Sequence, residues 1–209
     1  MIIMISRQFG AGGLSVGEAL AAAIGAELLD ERTIIAELAS RGGFSAEYLQ
    51  RIDEKPPTLA STFLSDIAQA GVLVAATEWR STEATVLDEL RNLVMDHAAK
   101  GDVVVIGHGG SKLLAERVTR GHIFSMMLLA GRQWRIEQVM RRFSIDRTAA
   151  EERVRHTDDL RKRYLAHFFA TDMYDARTYD LVLNTQRVGI DAAIRIAVEA
   201  VQAARSVTG

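Results

Sequence analysis

The chain opens on an apolar run, Met1-Ile-Ile-Met-Ile-Ser6, which gives way to a glycine-rich turn, Arg7-Gln-Phe-Gly-Ala-Gly-Gly13. The hydrophobic period then changes. Val16, Leu20 and Ile24 recur at helical spacing until Gly25, so the pattern predicts a buried strand over 2–6 and a helix over 14–24. A short extended segment follows at 27–30, then a helix carrying Ile34, Ile35 and Leu38 and stopped by Gly42-Gly43. Residues 45–101 read as mostly helical, broken at Pro56-Pro57. Phe63, Leu64, Ile67 and Ala68 form one apolar stripe there; Val86, Leu90, Leu93, Val94 and His97 form another, closed by Gly101.

Val103-Val-Val-Ile106 is a β-branched run between glycines, the signature of a strand covered on both faces. A second apolar run spans 122–130. Helical patterns follow over 133–143 and 147–169, the latter opening on an expected capping box, Thr148-Ala-Ala-Glu151. A last strand is predicted over 180–184 and a closing amphipathic helix over 190–205. Strands alternating with helices imply a parallel sheet in a three-layer α/β/α fold.

Composition narrows the chemistry. The 209 residues suffice for one domain, and 48% of them are hydrophobic. With no cysteine, a disulfide framework, a thiol nucleophile and Cys-ligated zinc are excluded. The chain shows no signal-like opening and no apolar run of about 18 residues, so we expect a cytoplasmic protein without a membrane partner. The net charge of −2 conceals an uneven distribution: residues 132–163 carry nine Arg and one Lys against six carboxylates. A small cationic segment without interleaved aromatics suits a compact anion such as a nucleotide better than a nucleic acid.

A strand feeding a glycine turn onto a helix is the architecture of a phosphate cradle. The standard pattern G-x-x-x-x-G-K-[ST] fits only at its second glycine, Gly12; Arg7, Gly13 and Leu14 occupy the other three defining positions. The turn therefore has two readings, a cradle or a plain helix–sheet junction. As a cradle it needs no lysine, because backbone donors and the helix dipole attract anions by themselves. Arg7 would then supply positive charge, and Ser15 is the hydroxyl nearest a metal-bound water. Further on, Arg155, Asp158 and Arg161 are spaced by three, which suggests one helix face. That face is either a guanidinium clamp with its arginines fixed by a carboxylate, or an exposed salt-bridge ladder.

Four segments, Ile5-Ser-Arg-Gln-Phe-Gly-Ala-Gly-Gly13, Val105-Ile-Gly-His-Gly109, Thr157-Asp158 with Arg161 and Tyr164, and Tyr179-Asp-Leu-Val-Leu-Asn-Thr185, together resemble the cytidylate kinase-like family. This is a branch of the P-loop nucleoside monophosphate kinases whose opening, typically S-R-[EQ]-[FY]-G-[SA]-G-G, has no lysine. The resemblance implies a single domain over 1–209, with a helical acceptor-binding region over about 40–100 and an arginine-bearing lid over about 141–163. It implies ATP and Mg²⁺ as cofactors and small-molecule nucleotides as partners; the oligomeric state, a homodimer included, stays open. ATP would lie on Phe9, Gly10, Ala11, Gly12, Gly13, Leu14 and Ser15, with Arg132 near the adenine or a phosphate. Arg7, Arg155, Asp158 and Arg161 would serve the transferred phosphoryl group.

Asp30 stands where related kinases place an acidic residue near the acceptor, and is also placed to cap a helix. His108 occupies a position usually held by arginine; it is shorter and only partly charged at neutral pH, and either replaces that arginine toward the acceptor, the favoured reading, or is a tolerated polar residue beside the carboxyl edge of the sheet. The implied activity is transfer of the ATP γ-phosphoryl to a nucleoside monophosphate, nominally CMP or dCMP, with a nucleotide-binding module of little turnover as the alternative. His97 reads as a satisfied core histidine, and His156 and His167 have no third ligand nearby for a zinc site. Trp79 and Trp134 are assigned to packing by default, with base stacking as the other reading.

Overall fold

The computed structural model describes residues 1–41, 76–115, 117–118 and 122–208. Five strands, β1 (Ile2–Arg7), β2 (Glu27–Leu29), β3 (Val103–Ile106), β4 (Ile123–Leu129) and β5 (Leu181–Asn184), pair in parallel in the order β2-β3-β1-β4-β5. The described helices are α1 (Gly13–Ile24), α2 (Glu31–Ser40), α3 (Ala76–Ala98), α4 (Arg132–Phe143), α5 (Arg147–Phe169), α6 (Thr185–Val188) and α7 (Ile190–Thr208). A 3₁₀ turn, Gly110–Leu114, follows β3. No described helix is long and apolar enough to cross a membrane.

The strands are apolar at successive positions because each face of the sheet is covered, and the period of two sorts them. Ile2, Met4, Val103 and Val105 pack with Ile34 and Leu38 of α2, Leu90, Leu93 and Val94 of α3, and Leu113 of the 3₁₀ turn. Ile3, Ile5 and Val104 face the other way, onto Val16 and Leu20 of α1 and Ala193, Ala197 and Val201 of α7. Each large aliphatic side chain buried in this way contributes about 1.5–3 kcal/mol. That rigid sandwich holds β1 in the centre, with β3 on one side and β4 on the other. Connections from the carboxyl ends of these strands diverge, and such a point in an open α/β sheet forms a ligand crevice.

Helices α4 and α5 form a hairpin at the carboxyl edge, sealed by Ile136, Val139, Ala150 and Val154 with Phe9 and Phe143 against them. The cap of α5 differs from the expected Thr148–Glu151 box: Asp146 accepts from Ala149 N at 2.8 Å. Thr148 and Glu151 lie inside the helix, Thr148 two residues past the capping position. The stripe Phe63–Ala68, the break at Pro56-Pro57 and the Gly42-Gly43 stop lie outside the described residues, as does most of the expected acceptor-binding region.

His97 meets its expected role as a satisfied histidine of α3, 7% exposed. Nδ1 lies 2.7 Å from Glu27 of β2 and Nε2 2.8 Å from Glu37 of α2. Burial alone would lower its pKa, but the hydrogen bonds to Glu37 and Glu27 outweigh this and raise it above 6.5. Two carboxylate acceptors select the doubly protonated ring. A histidine with a raised folded-state pKa stabilises fully below its unfolded value, and that contribution disappears as pH rises through the folded value. Wild-type stability should therefore fall as pH climbs from 6.5 through the raised pKa, and His97→Gln should flatten that slope in urea titrations. An unchanged slope would remove His97 as its source.

Candidate active site

The turn after β1 is built so that its backbone faces outward. Gly12 is the N-cap of α1 at φ +81°, and an added Cβ there would run into the Ile190 side chain. Val16 N makes the first helical bond, to Gly12 O at 3.0 Å. The Gly13, Leu14 and Ser15 amides thus point out of the helix mouth, where an N-cap without a side chain supplies no acceptor. They open on a cavity of about 870 Å³ that reaches from this mouth to the start of α2 and to α4 and α5. Phe9, Gly10, Gly12, Gly13, Leu14 and Ser15 all line it. Ala11 does not line it: it is fully buried, and its carbonyl accepts from Thr185 Oγ1 at 3.0 Å, which anchors the turn to the end of β5.

A buried latch ties the turn to the helical hairpin. Asp158 of α5 accepts from Phe9 N at 2.8 Å and from Arg135 Nη1 at 2.6 Å. Arg135 also donates to Phe9 O at 2.8 Å and Ala130 O at 3.0 Å. Both side chains are nearly inaccessible, at 6% and 9% exposure. Gln8 adds a second tie: Ala130 N donates to its Oε1 at 2.9 Å, and its Nε2 donates to the Tyr174 hydroxyl at 3.1 Å. Phe9 lies 6.0 Å from Phe143 in a stacked pair, with the Arg161 guanidinium 5.6 Å from its ring.

Two guanidinium groups meet beside this mouth. Arg161 Nη1 donates to Arg7 O at 3.1 Å, and both residues line the cavity. Arg7 runs under the end of β3 so closely that only a glycine fits at Gly107 (φ +97°). Burial, and then the Arg161 charge, push the Arg7 guanidinium down to about 9, with Glu31 and Asp30 opposing; it remains a cation at neutral pH. Burial also lowers Arg161. Glu31, the first residue of α2, lies 3.9 Å from Arg7, and burial raises its carboxyl despite that neighbour. Packing two like charges into partial burial is unfavourable unless a negative charge offsets it.

The structure redistributes several expected roles. Arg155 does not join Asp158 and Arg161: it is 56% exposed and pairs with Glu152 at 2.5 Å and Asp159 at 3.7 Å. Three-residue steps fall short of a full helical turn, so positions 155 and 161 lie about 120° apart around the axis. Asp158 fixes neither of the flanking arginines, because its oxygens are taken by Phe9 and Arg135. Arg132 is exposed at the start of α4 and does not line the cavity; Arg135, one turn on, is the inward arginine. Asp30 lines the cavity and also caps α2, its Oδ1 accepting from Thr33 N and Oγ1, both at 2.9 Å.

His108 sits just past β3 at φ +57°, a conformation that costs a non-glycine residue about 1–2 kcal/mol. Burial, then Arg7 and Arg161, push its imidazole down to about 3, so it is neutral rather than partly charged. It does not line the cavity, although its ring lies beside the arginine pair. Arg135 and Glu31 went unassigned in the sequence reading. Arg135 stands beside Ile136 and one turn before the apolar Val139, which is the signal the sequence offers for it; Glu31 offers none, since an acidic residue in a first helical turn is commonplace.

A parallel sheet of this order, whose first strand delivers a glycine turn to a helix mouth faced by arginines, defines a P-loop kinase fold. The cytidylate kinase-like family model matches residues 2–187, and the chain belongs to that family of nucleotide phosphotransferases. A cytidylate kinase of Pyrobaculum neutrophilum is 26% identical over 201 residues, covering 95% of this chain and 91% of its own length. One of Pyrobaculum aerophilum is 22% identical over 200 residues, with the same coverage. Among solved structures, an uncharacterized protein of Eubacterium ventriosum aligns over 97% of this chain and 98% of its own at a TM-score of 0.65 and 19% identity. A gluconokinase of Sinorhizobium meliloti aligns over 98% and 94% at 0.51 and 14% identity, which extends the likeness of fold alone.

Proposed function

We propose that the protein transfers the γ-phosphoryl group of ATP to a nucleoside monophosphate, with CMP or dCMP as acceptor. The observation that carries this reading is the convergence of Arg7 and Arg161 at the open mouth of α1, where two guanidinium groups supply the charge that a lysine gives other phosphate loops. The cytidylate kinases of Pyrobaculum, alike over nearly the whole chain, support the choice of acceptor.

Phosphoryl transfer asks for alignment and positive charge around the equatorial oxygens more than for covalent chemistry. In this reading the amides of Gly13, Leu14 and Ser15 and the dipole of α1 bind the β-phosphate. Arg7 and Arg161 face the group in transit, and their charge is worth more there because the site is partly desolvated. The Phe9–Asp158–Arg135 latch positions the loop against the lid, so ordering is complete before substrate arrives. Mg²⁺, supplied with ATP, would neutralise phosphate charge; Ser15 lines the cavity, and its hydroxyl would hold one of the metal's waters. Asp30 stays a candidate for the acceptor side of the cavity, whereas His108, neutral and off the cavity wall, has no direct part in this reading.

The test is a coupled assay with Mg-ATP against CMP, dCMP, UMP and AMP. We expect ADP formation that depends on CMP or dCMP. ATP binding without product from any acceptor would overturn the reading.

A further inference from the structure

The site contains one charge of the wrong sign for an anion pocket. Glu31 lines the cavity with Oε2 3.9 Å from Arg7 Nη2, while its Oε1 is buried and has no hydrogen-bond partner among the described residues. Arg161 Nε is buried and unpartnered in the same sense, and its charge acts on Glu31 together with that of Arg7. A carboxylate in this place weakens the hold of the two arginines on any bare anion, because it repels phosphate oxygens and offsets part of the guanidinium charge. The neighbouring Asp30 carboxylate brings no donor to Glu31; its Oδ1 itself accepts from Thr33 N and Oγ1.

A buried acceptor without a donor is costly, and a ligand that brings one relieves the cost. Sites built this way discriminate by rejecting analogues that lack the donor, since the protein group is then left unpaired. A ligand with an anionic group alone would satisfy the arginines and leave Oε1 bare. A ligand with an anionic group and a nearby O–H or N–H would satisfy both at once.

We propose that Glu31 reads the phosphoryl acceptor, its Oε1 accepting a hydrogen bond from a hydroxyl or amino group of the molecule whose anionic group lies on Arg7 and Arg161. The inference rests on the phosphotransfer reading above and adds to it the residue that selects the acceptor. Burial, which makes ionised Glu31 expensive, agrees with a carboxylate that gains from a donor.

The experiment compares wild type, Glu31→Gln and Glu31→Leu with three acceptors: CMP, its 2′,3′-dideoxy analogue without ribose hydroxyls, and UMP without the exocyclic amine. Turnover with Mg-ATP and calorimetric binding of each monophosphate are both measured. Wild type should favour CMP over one of the two analogues by roughly 10- to 100-fold, the range of a hydrogen bond to a charged group. The analogue that suffers identifies the donor as hydroxyl or amine. Glu31→Leu should bring that ratio close to one, with the loss falling on CMP, and Glu31→Gln should keep part of it because the amide oxygen still accepts.

If Glu31→Leu lowers kcat equally for all three acceptors and keeps the wild-type ratios, Glu31 merely positions Arg7 and the inference is overturned. Equal use of all three by wild type overturns it too. Binding that discriminates through Glu31 without turnover leaves the inference standing and overturns only the kinase reading. Failure of wild type to bind any of the monophosphates overturns both.

Discussion

Asp158→Ala should lower the unfolding free energy by about 3–5 kcal/mol, the range for removing one partner of a buried ion pair. The Asp158 carboxylate serves two groups: the Arg135 guanidinium at 2.6 Å and the Phe9 amide at 2.8 Å. Without it, Arg135 keeps its charge in a nearly inaccessible position and the loop amide loses its acceptor. Urea denaturation should read the loss directly, and thermal melting should show a fall of roughly 10 °C for a chain of this size. Asp158→Asn separates the two contributions, since its amide oxygen can still accept from Phe9 but returns no charge to Arg135. It should fall between wild type and Asp158→Ala. A loss below about 1 kcal/mol in Asp158→Ala would mean that water replaces the carboxylate and that the latch is not closed in solution.

How far the sequence reveals this site depends on the reach of each interaction. The sheet is legible because its strands are covered on both faces: the runs Met1 to Ile5 and Val103 to Ile106 have no polar interruption. The helix mouth is legible because Gly12 must occupy φ +81° against Ile190, a local demand that only glycine meets without strain. The partners of Asp158 are not legible in the same way. Its spacing to Arg155 and Arg161 suggests an intrahelical relation, yet its bonds run to Phe9, 149 residues away, and to Arg135 on another helix. Sequence spacing reports neighbours on one element; it is silent on which side of α5 meets the loop. Glu31 was hidden for a related reason, as its significance lies in the burial of one oxygen beside Arg7.

The same geometry predicts the opposite signature for Arg161. Arg161→Met should reduce kcat for phosphoryl transfer by about 10³-fold, the lower end of what a transition-state arginine contributes, while leaving thermal stability unchanged or raised. The reasoning turns on what Arg161 does in the ligand-free site. It donates to Arg7 O at 3.1 Å and in return holds a second cation next to Arg7 in partial burial, where its charge depresses the Arg7 guanidinium. Methionine keeps most of the stem volume and removes the repulsion, so folding loses little. The phosphoryl group in transit loses a forked donor that nothing adjacent can replace, because Arg7 is already engaged from the other side and His108 is neutral. Arg161→Lys should recover charge but not the fork, and so restore only part of the rate. Rate and melting temperature measured together on Arg161→Met and Asp158→Ala would then separate the two jobs on helix α5. If Arg161→Met instead melted early and kept its rate, Arg161 would be a strut of the lid, and the charge that faces the phosphoryl group would have to come from Arg7 alone.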